Sequence, residues 1–242
     1  MATFNYHWIP DAPKVLVVLH QETSTPGRIG MALQDMGYNL VASRPPLGEA
    51  LPDTMEDYAG AVVFGGPKSA NDNDEYIKRE TDWIGVPLKE DKPFLGVCLG
   101  AQMMSKHLGG QVMANEREFA EIGYYPLEPT EEGKALMDWP EMVYQWHREG
   151  FTLPSGCELL AGSPEYPIQA MRHGDNAFGV QFHSELTLWM LNRWTTKAWE
   201  RLQLNGAQPR MQQLEGRLLY DAAVRKWMHD FLNLWIGPAI EK

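Results

Sequence analysis

Three runs of unbroken apolar residues constrain this chain more than any other feature. KVLVVLH (Lys14–His20), AVVFGGP (Ala61–Pro67) and PFLGV (93–97) show none of the period-two alternation of a half-exposed strand. Each reads as a strand covered on both faces, which is how parallel sheets bury their strands. Helical spacing separates them. TPGRIGMALQDMG places Ile29, Leu33 and Met36 on one side and ends at Gly37. NDNDEYIKRETDW supplies Asn and Asp caps, then Tyr76, Ile77 and Trp83. YNLVAS is a further strand, LPDTMEDYAG a loop or short helix, and LGAQMMSKHLGG a helix closed by glycine. Strand–helix alternation predicts an α/β fold of three layers, a mostly parallel central sheet flanked by helices.

Past Gly110 the pattern changes. IGYYPLEP, MVYQWH, CELLAGS, IQAMRH and AFGVQFH are short strand-like pieces between turns, which predict a small antiparallel β region. From Leu186 the chain turns helical, with a break near NGAQPR. The last helix presents Leu214, Leu218, Leu219, Ala222, Trp227, Phe231 and Leu234 as its packing face. Residues 1–194 are expected to form one domain. Residues 195–242 are expected to be a helical C-terminal extension packed on it, with a homodimer contact as the other reading of that tail.

Composition excludes several classes. The net charge is −11 and no basic run exceeds two residues, which argues against a nucleic-acid binder. No apolar stretch approaches a membrane span. MATFNYHWIPDAPK lacks the basic start and long apolar segment of a signal peptide. A cytoplasmic protein is the expectation. Two cysteines, Cys98 and Cys157, with no CxxC or HExxH, predict neither a metal site nor a cofactor, and a cytosolic setting disfavours a disulfide.

The chemistry concentrates at Pro93–Gly110, PFLGVCLGAQMMSKHLGG. Cys98 falls between a strand and a helix, flanked by Gly96 and Gly100. Small neighbours permit the tight turn that pushes a nucleophile out, and a helix N-terminus favours the thiolate. A nucleophile needs a base and an orienting group. GVQFHSE supplies His183 and Glu185, two apart and therefore on one side of an extended segment. Oxyanion donors are expected from the Leu99 N–H and the Gly65–Pro67 turn. Cys157 has no such setting and reads as packing.

At these residues the chain resembles the class I, triad-type glutamine amidotransferases, whose fold is flavodoxin-like. PFLGVCLGAQMMSKHLGGQV is similar to that family's nucleophile block, GVQFHSE to its His–Glu block, and VVFGGPKSANDND to its oxyanion-strand block. The likeness runs from about Lys14 to about Leu188. LHQETSTPGRIGMALQDMGYNL resembles the stand-alone branch, which is similar to the glutaminase domain of GMP synthase without its ATP-using half.

The resemblance implies a Cys98–His183–Glu185 triad that hydrolyses the γ-amide of glutamine, or of a related γ-glutamyl compound, through a γ-glutamyl thioester. It implies an oxyanion pocket at Gly66 and Leu99, and substrate contacts from Gln102. His147, in WHREGF, is a candidate pocket residue. The implied partners are a small γ-glutamyl substrate and an ammonia-accepting synthase. A γ-glutamyl peptide hydrolase is the alternative. An elbow-cysteine peptidase or chaperone-like hydrolase fits less well, because such relatives place His directly after Cys, where this chain has Leu99. Two departures stand out. Ser184 replaces the proline common between His and Glu, and the residues after His147 differ from the usual Gly-Asp-x-Phe.

Overall fold

The computed structural model describes residues 8–239, so residues 1–7, which begin the segment read for a signal peptide, lie outside it, as do residues 240–242. The strands are β1 (Lys14–Val18), β2 (Asn39–Ser43), β3 (Tyr58–Val63), β4 (Phe94–Val97), β5 (Val112–Ala114), β6 (Glu121–Pro126), β7 (Glu128–Pro129), β8 (Met142–His147), β9 (Glu149–Phe151), β10 (Cys157–Gly162), β11 (Ala170–His173) and β12 (Ala177–Val180). The helices are α1 (Gly27–Asp35), α2 (Glu75–Trp83), α3 (Gly85–Lys89), α4 (Leu99–His107), α5 (Glu131–Leu136), α6 (Leu188–Lys197) and α7 (Arg210–Trp235).

An eight-stranded sheet runs β2-β1-β3-β4-β12-β11-β10-β7. From β2 to β12 every pairing is parallel, and from β12 to β7 every pairing is antiparallel. The pairs β5–β9 and β6–β8 form two small antiparallel sheets beside it. The continuous apolar runs are covered on both faces as expected. Val15, Val17, Val62, Leu95 and Val97 join one core cluster with residues of α1 and α7, whereas Leu16, Val18, Ala61, Val63 and Phe94 join another with residues of α2 and α4.

Several details differ from the sequence reading. LPDTMEDYAG contains no helix, and its last residues already belong to β3, which stops at Val63, just before the Gly-Gly-Pro turn. Likewise β12 stops at Val180, so Gln181–Glu185 leave the sheet as bends and turns. Strand runs end early here because the parallel ladder ends, and both departures free a loop at the same edge of the sheet.

The inner face of α7 is only partly the one that hydropathy suggests: Trp227 and Phe231 are buried and Leu214 is half-buried, but the other expected residues point outward. Leu218 is 87% exposed and Leu219 71%, and Ala222 and Leu234 also face solvent. Inward go Gln213, Gly216, Val224, Trp227, Met228, Phe231, Leu232 and Trp235. Partners decide this face. The Tyr144 hydroxyl donates to Gln213 Oε1 at 2.7 Å, and Gly216 lies so close to the Tyr124 ring that a Cβ there would come within 2.6 Å of it. From Val224 to Trp235 the buried side keeps apolar helical spacing, whereas its first half is marked by a polar residue and a glycine, which apolar periodicity does not reveal.

Candidate active site

Cys98 occupies the turn between β4 and the first residue of α4. Its backbone sits at φ 52°, ψ −105°, a region that L-residues with a side chain seldom adopt. Such strain costs about 1–3 kcal/mol and persists only where the surroundings hold it. Here the Cys98 N–H donates to the Val180 carbonyl at 2.8 Å, and the Cys98 carbonyl accepts from the Gln102 N–H at 3.0 Å. The flanking glycines are needed for close approach. A Cβ at Gly100 would lie 2.1 Å from the Val63 carbonyl oxygen, and one at Gly96 would lie 2.6 Å from the Gly100 carbonyl. The sequence reading of a tight strand-to-helix turn therefore has a direct physical counterpart.

His183 and Glu185 sit on the turn after β12, not on an extended strand. They nonetheless meet, His183 Nδ1 lying 2.7 Å from Glu185 Oε1, and both are nearly fully buried. One point in space brings the nucleophile and imidazole together. A Cβ built on Gly65 would lie 3.0 Å from His183 Cε1 and 3.8 Å from Cys98 Sγ. Residues 85 apart in sequence thus converge across one glycine. Burial works against the charged imidazole, but the Glu185 carboxylate and the Cys98 thiolate outweigh it and raise the ring to about 10. The ring therefore favours its protonated form at neutral pH. Trp194 lies edge-on to His183, with ring centroids 5.0 Å apart, and helps keep it dry.

The turn Gly65–Pro67 and the start of α4 flank the sulfur. The first α4 hydrogen bond comes from Gln102, which leaves the Leu99 N–H without an intrahelical partner. Leu99 borders a small cavity that shares Gly66, Pro67 and Cys98 with a larger one beside it. Gly65–Pro67 and Cys98 border that larger cavity, of about 350 Å³, which His183 and Glu185 also line.

Its far wall was not legible in the motifs. Trp189, Arg193, Trp194, Lys197 and Arg201, from α6 and the turn after it, line the cavity. Three of them are cations in a chain of net charge −11. Thr187 starts this wall by accepting from the Met190 N–H at 3.2 Å, which caps α6 two residues after Glu185. A Thr-capped helix beginning directly behind the His–Glu block was the available signal.

Gln102 and His147 line the small cavity beside Cys98 and Leu99, and each has polar atoms bonded to neighbours. Gln102 Nε2 donates to the Glu149 carbonyl at 2.8 Å and to Gln181 Oε1 at 3.2 Å. His147 uses both ring nitrogens, Nδ1 toward the Glu149 carbonyl and Nε2 toward buried Glu121, each at 3.0 Å. The substrate contact expected of His147 has no free ring nitrogen to make it. Burial pushes the Cys157 thiol up, away from reactivity, and neither cysteine is in a disulfide. Among the described residues no cluster of His, Cys, Asp and Glu could hold a metal ion, and no helix is long and apolar enough to cross a membrane.

A doubly wound sheet that presents a strained cysteine at its carboxyl edge defines an enzyme of the cysteine-nucleophile amidohydrolase class. The profile of the "Glutamine amidotransferase class-I" family matches residues 32–191, and the chain belongs to that family. It is 31% identical over 185 residues to the glutamine amidotransferase-like protein YfeJ of Salmonella typhimurium, covering 72% of this chain and 77% of that one. It is 32% identical over 163 residues to the glutamine-hydrolyzing GMP synthase of Neisseria gonorrhoeae, covering 62% of this chain but only 28% of the synthase. Among solved structures, a glutamine amidotransferase from Thermotoga maritima matches with a TM-score of 0.84 at 28% identity, covering 93% of this chain and 98% of that one. One from Methylobacillus flagellatus shares the fold, with a TM-score of 0.85 at 24% identity over 96% of both chains.

Proposed function

We propose that the chain hydrolyses the γ-amide bond of glutamine or a related γ-glutamyl compound, with Cys98 as nucleophile, His183 as proton carrier and Glu185 as its orienting partner. The observation that carries this reading is the convergence of Cys98 Sγ and His183 on Gly65, with Glu185 bonded to the far ring nitrogen. The thiolate attacks the γ-carbonyl carbon. The oxygen takes up negative charge against the N–H groups of Leu99 and Gly66, in the role of oxyanion donors. Imidazolium Nε2–H protonates the leaving nitrogen, the C–N bond breaks, and a γ-glutamyl thioester remains. Water then attacks the thioester, gives its proton to Nε2, and expels the thiolate with glutamate as product.

Residues 1–194 are the amidotransferase domain in this reading, and 195–242 an extension packed on it that also completes the cavity wall. Gln102 and His147 shape the site by holding β9 and Gln181 in place. The cavity is in the size range of sites for ligands larger than glutamine, which favours a γ-glutamyl donor with a substituent on its amide nitrogen. An ammonia-accepting synthase partner is the second arrangement, supported by the glutamine-hydrolyzing GMP synthases among the relatives. The cytoplasm is the compartment that goes with either.

The test is labelling by a chloroketone analogue of glutamine followed by mass spectrometry. A panel of glutamine, γ-glutamyl peptides and ordinary peptides is then assayed for release of ammonia or amine. Labelling confined to Cys98, and release from γ-glutamyl donors that Cys98→Ala abolishes, is the expected result. Wild-type turnover in Cys98→Ala overturns the mechanism.

A further inference from the structure

Behind the Gly65–Gly66 turn lies a buried ionisable pair that the chemistry above does not use. His20 follows β1 by two residues and Glu80 lies in α2, and they are 3% and 1% exposed. His20 Nε2 is 2.7 Å from Glu80 Oε2, and Nδ1 is 3.1 Å from the Gly65 carbonyl oxygen. That carbonyl can only accept, so Nδ1 carries a proton and donates it. Nε2 hydrogen-bonds the Glu80 carboxyl group on the other side of the ring. Among the described residues Glu80 Oε1 has no hydrogen-bond partner. Such a pair is costly to bury, and apolar residues of similar volume often serve stability as well. Its geometry points to another purpose.

Among the described residues no peptide bond is cis. In a trans peptide the C=O and N–H point in opposite directions. With the Gly65 carbonyl turned toward buried His20, the N–H of Gly66 is turned away from it. Gly65, Gly66 and Cys98 line the cavity, whereas His20 does not, so away from His20 is toward the cavity. Two successive glycines have little backbone preference of their own, and something outside the turn must set the rotation of the peptide between them. His20 also limits Gly66 directly, since a Cβ on Gly66 would lie 2.8 Å from His20 Cβ and 2.9 Å from Leu99 Cδ2.

We infer that His20 and Glu80 are positioning residues for the oxyanion donor. Glu80 holds the ring, the ring Nδ1–H clamps the Gly65 carbonyl, and the clamp aims the Gly66 N–H at the oxygen of the tetrahedral intermediate. The inference rests on the thioester chemistry proposed at Cys98. It adds no covalent step and moves no proton to substrate.

The experiment compares His20→Leu with His20→Asn in the full chain. Leu keeps much of the volume and removes the donor, whereas Asn places an N–H near the position of Nδ1. Complete loss of one oxyanion donor costs about 10²–10³ in rate. A misaimed donor is therefore expected to lower kcat of His20→Leu by about 10- to 100-fold, with KM nearly unchanged. Alkylation of Cys98 by iodoacetamide forms no oxyanion, and its rate should stay near wild type. His20→Asn should recover most of kcat. An unchanged kcat in His20→Leu, a parallel loss of alkylation, or no recovery in His20→Asn overturns the inference. A wild-type chain that releases nothing from any γ-glutamyl donor instead overturns the reading beneath it, and does so before any His20 variant is measured.

Discussion

Arg28 of α1 and Asp221 of α7 lie 193 residues apart and meet through two parallel bonds, Nη1–Oδ1 and Nη2–Oδ2, both 2.7 Å long. The Arg28 backbone N–H donates to the Glu185 carbonyl at 2.9 Å. Arg217 adds a bond to Asp221 at 3.1 Å and reaches toward the Leu186 carbonyl at 3.5 Å. The C-terminal helix thereby braces the turn that carries His183 and Glu185.

Removing the shared carboxylate should expose that brace. Asp221→Ala leaves two guanidinium groups facing each other, and burial together with the charge of Arg28 already pushes Arg217 down. Breaking a fully buried ion pair costs about 3–5 kcal/mol, and partial exposure of this one reduces the expectation to about 2 kcal/mol. Urea unfolding measures it. Turnover should fall as well, because the His–Glu turn loses its support, and a variant with wild-type stability and turnover would show that α7 does not brace the site.

The strain at Cys98 can be separated from its chemistry. Glycine adopts positive φ without the penalty that a side chain carries. Cys98→Gly should therefore be inactive yet more stable than Cys98→Ala, by about 1 kcal/mol. Equal melting temperatures for the two variants would mean that the backbone there stores no energy.

The proton on His183 couples the site to stability. A ring raised from its ordinary 6.5 to about 10, with burial opposing and Glu185 and Cys98 prevailing, binds its proton more tightly folded than unfolded. Its contribution is full below pH 6.5 and is lost as pH rises from there through about 10. Urea midpoints across that window should fall with pH in the wild type and fall less steeply in Glu185→Gln. A wild-type profile no steeper than the variant's rules out the ion pair.

The cationic wall should act on affinity more than on chemistry. Arg193, Lys197 and Arg201 face the cavity with Glu200 as the one neighbouring carboxylate besides Glu185. Charge-assisted bonds to a substrate carboxylate contribute about 1.5–3 kcal/mol each when shielded from water. Arg193→Ala with Arg201→Ala is expected to raise KM for a γ-glutamyl donor about tenfold or more, with a smaller change in kcat. A loss confined to kcat would assign these side chains to support of His183 instead. Arg193 donates to Thr23 and lies over the Trp189 ring, so the single variants separate the two cations.

Much of the site was readable because its signals are local. Gly96, Cys98 and Gly100 lie within five residues, and the turn that needs them is made by the same five. His183 and Glu185 are two apart, and their pairing survives even though the segment bends instead of extending. His147 and Gln102 were harder. Their types allow substrate contact, but Glu121 and Glu149 take both His147 ring nitrogens and Glu149 and Gln181 take the Gln102 amide N–H groups, all but the His147–Glu149 pair far apart in sequence.

Unbroken apolar runs separated by helical spacing pointed to a parallel sheet, because strands apolar on both faces need cover on both sides and the intervening helices supply it. Glycine on both sides of Cys98 was enough to place it on a tight turn, because steric limits on the backbone act within a few residues. The tertiary structure alone decided that the first half of α7 turns Gln213 and Gly216 inward, which cations wall the cavity, and which groups occupy His147. Those outcomes depend on which distant partners claim each polar atom or cover each surface, and spacing along a single chain does not encode them.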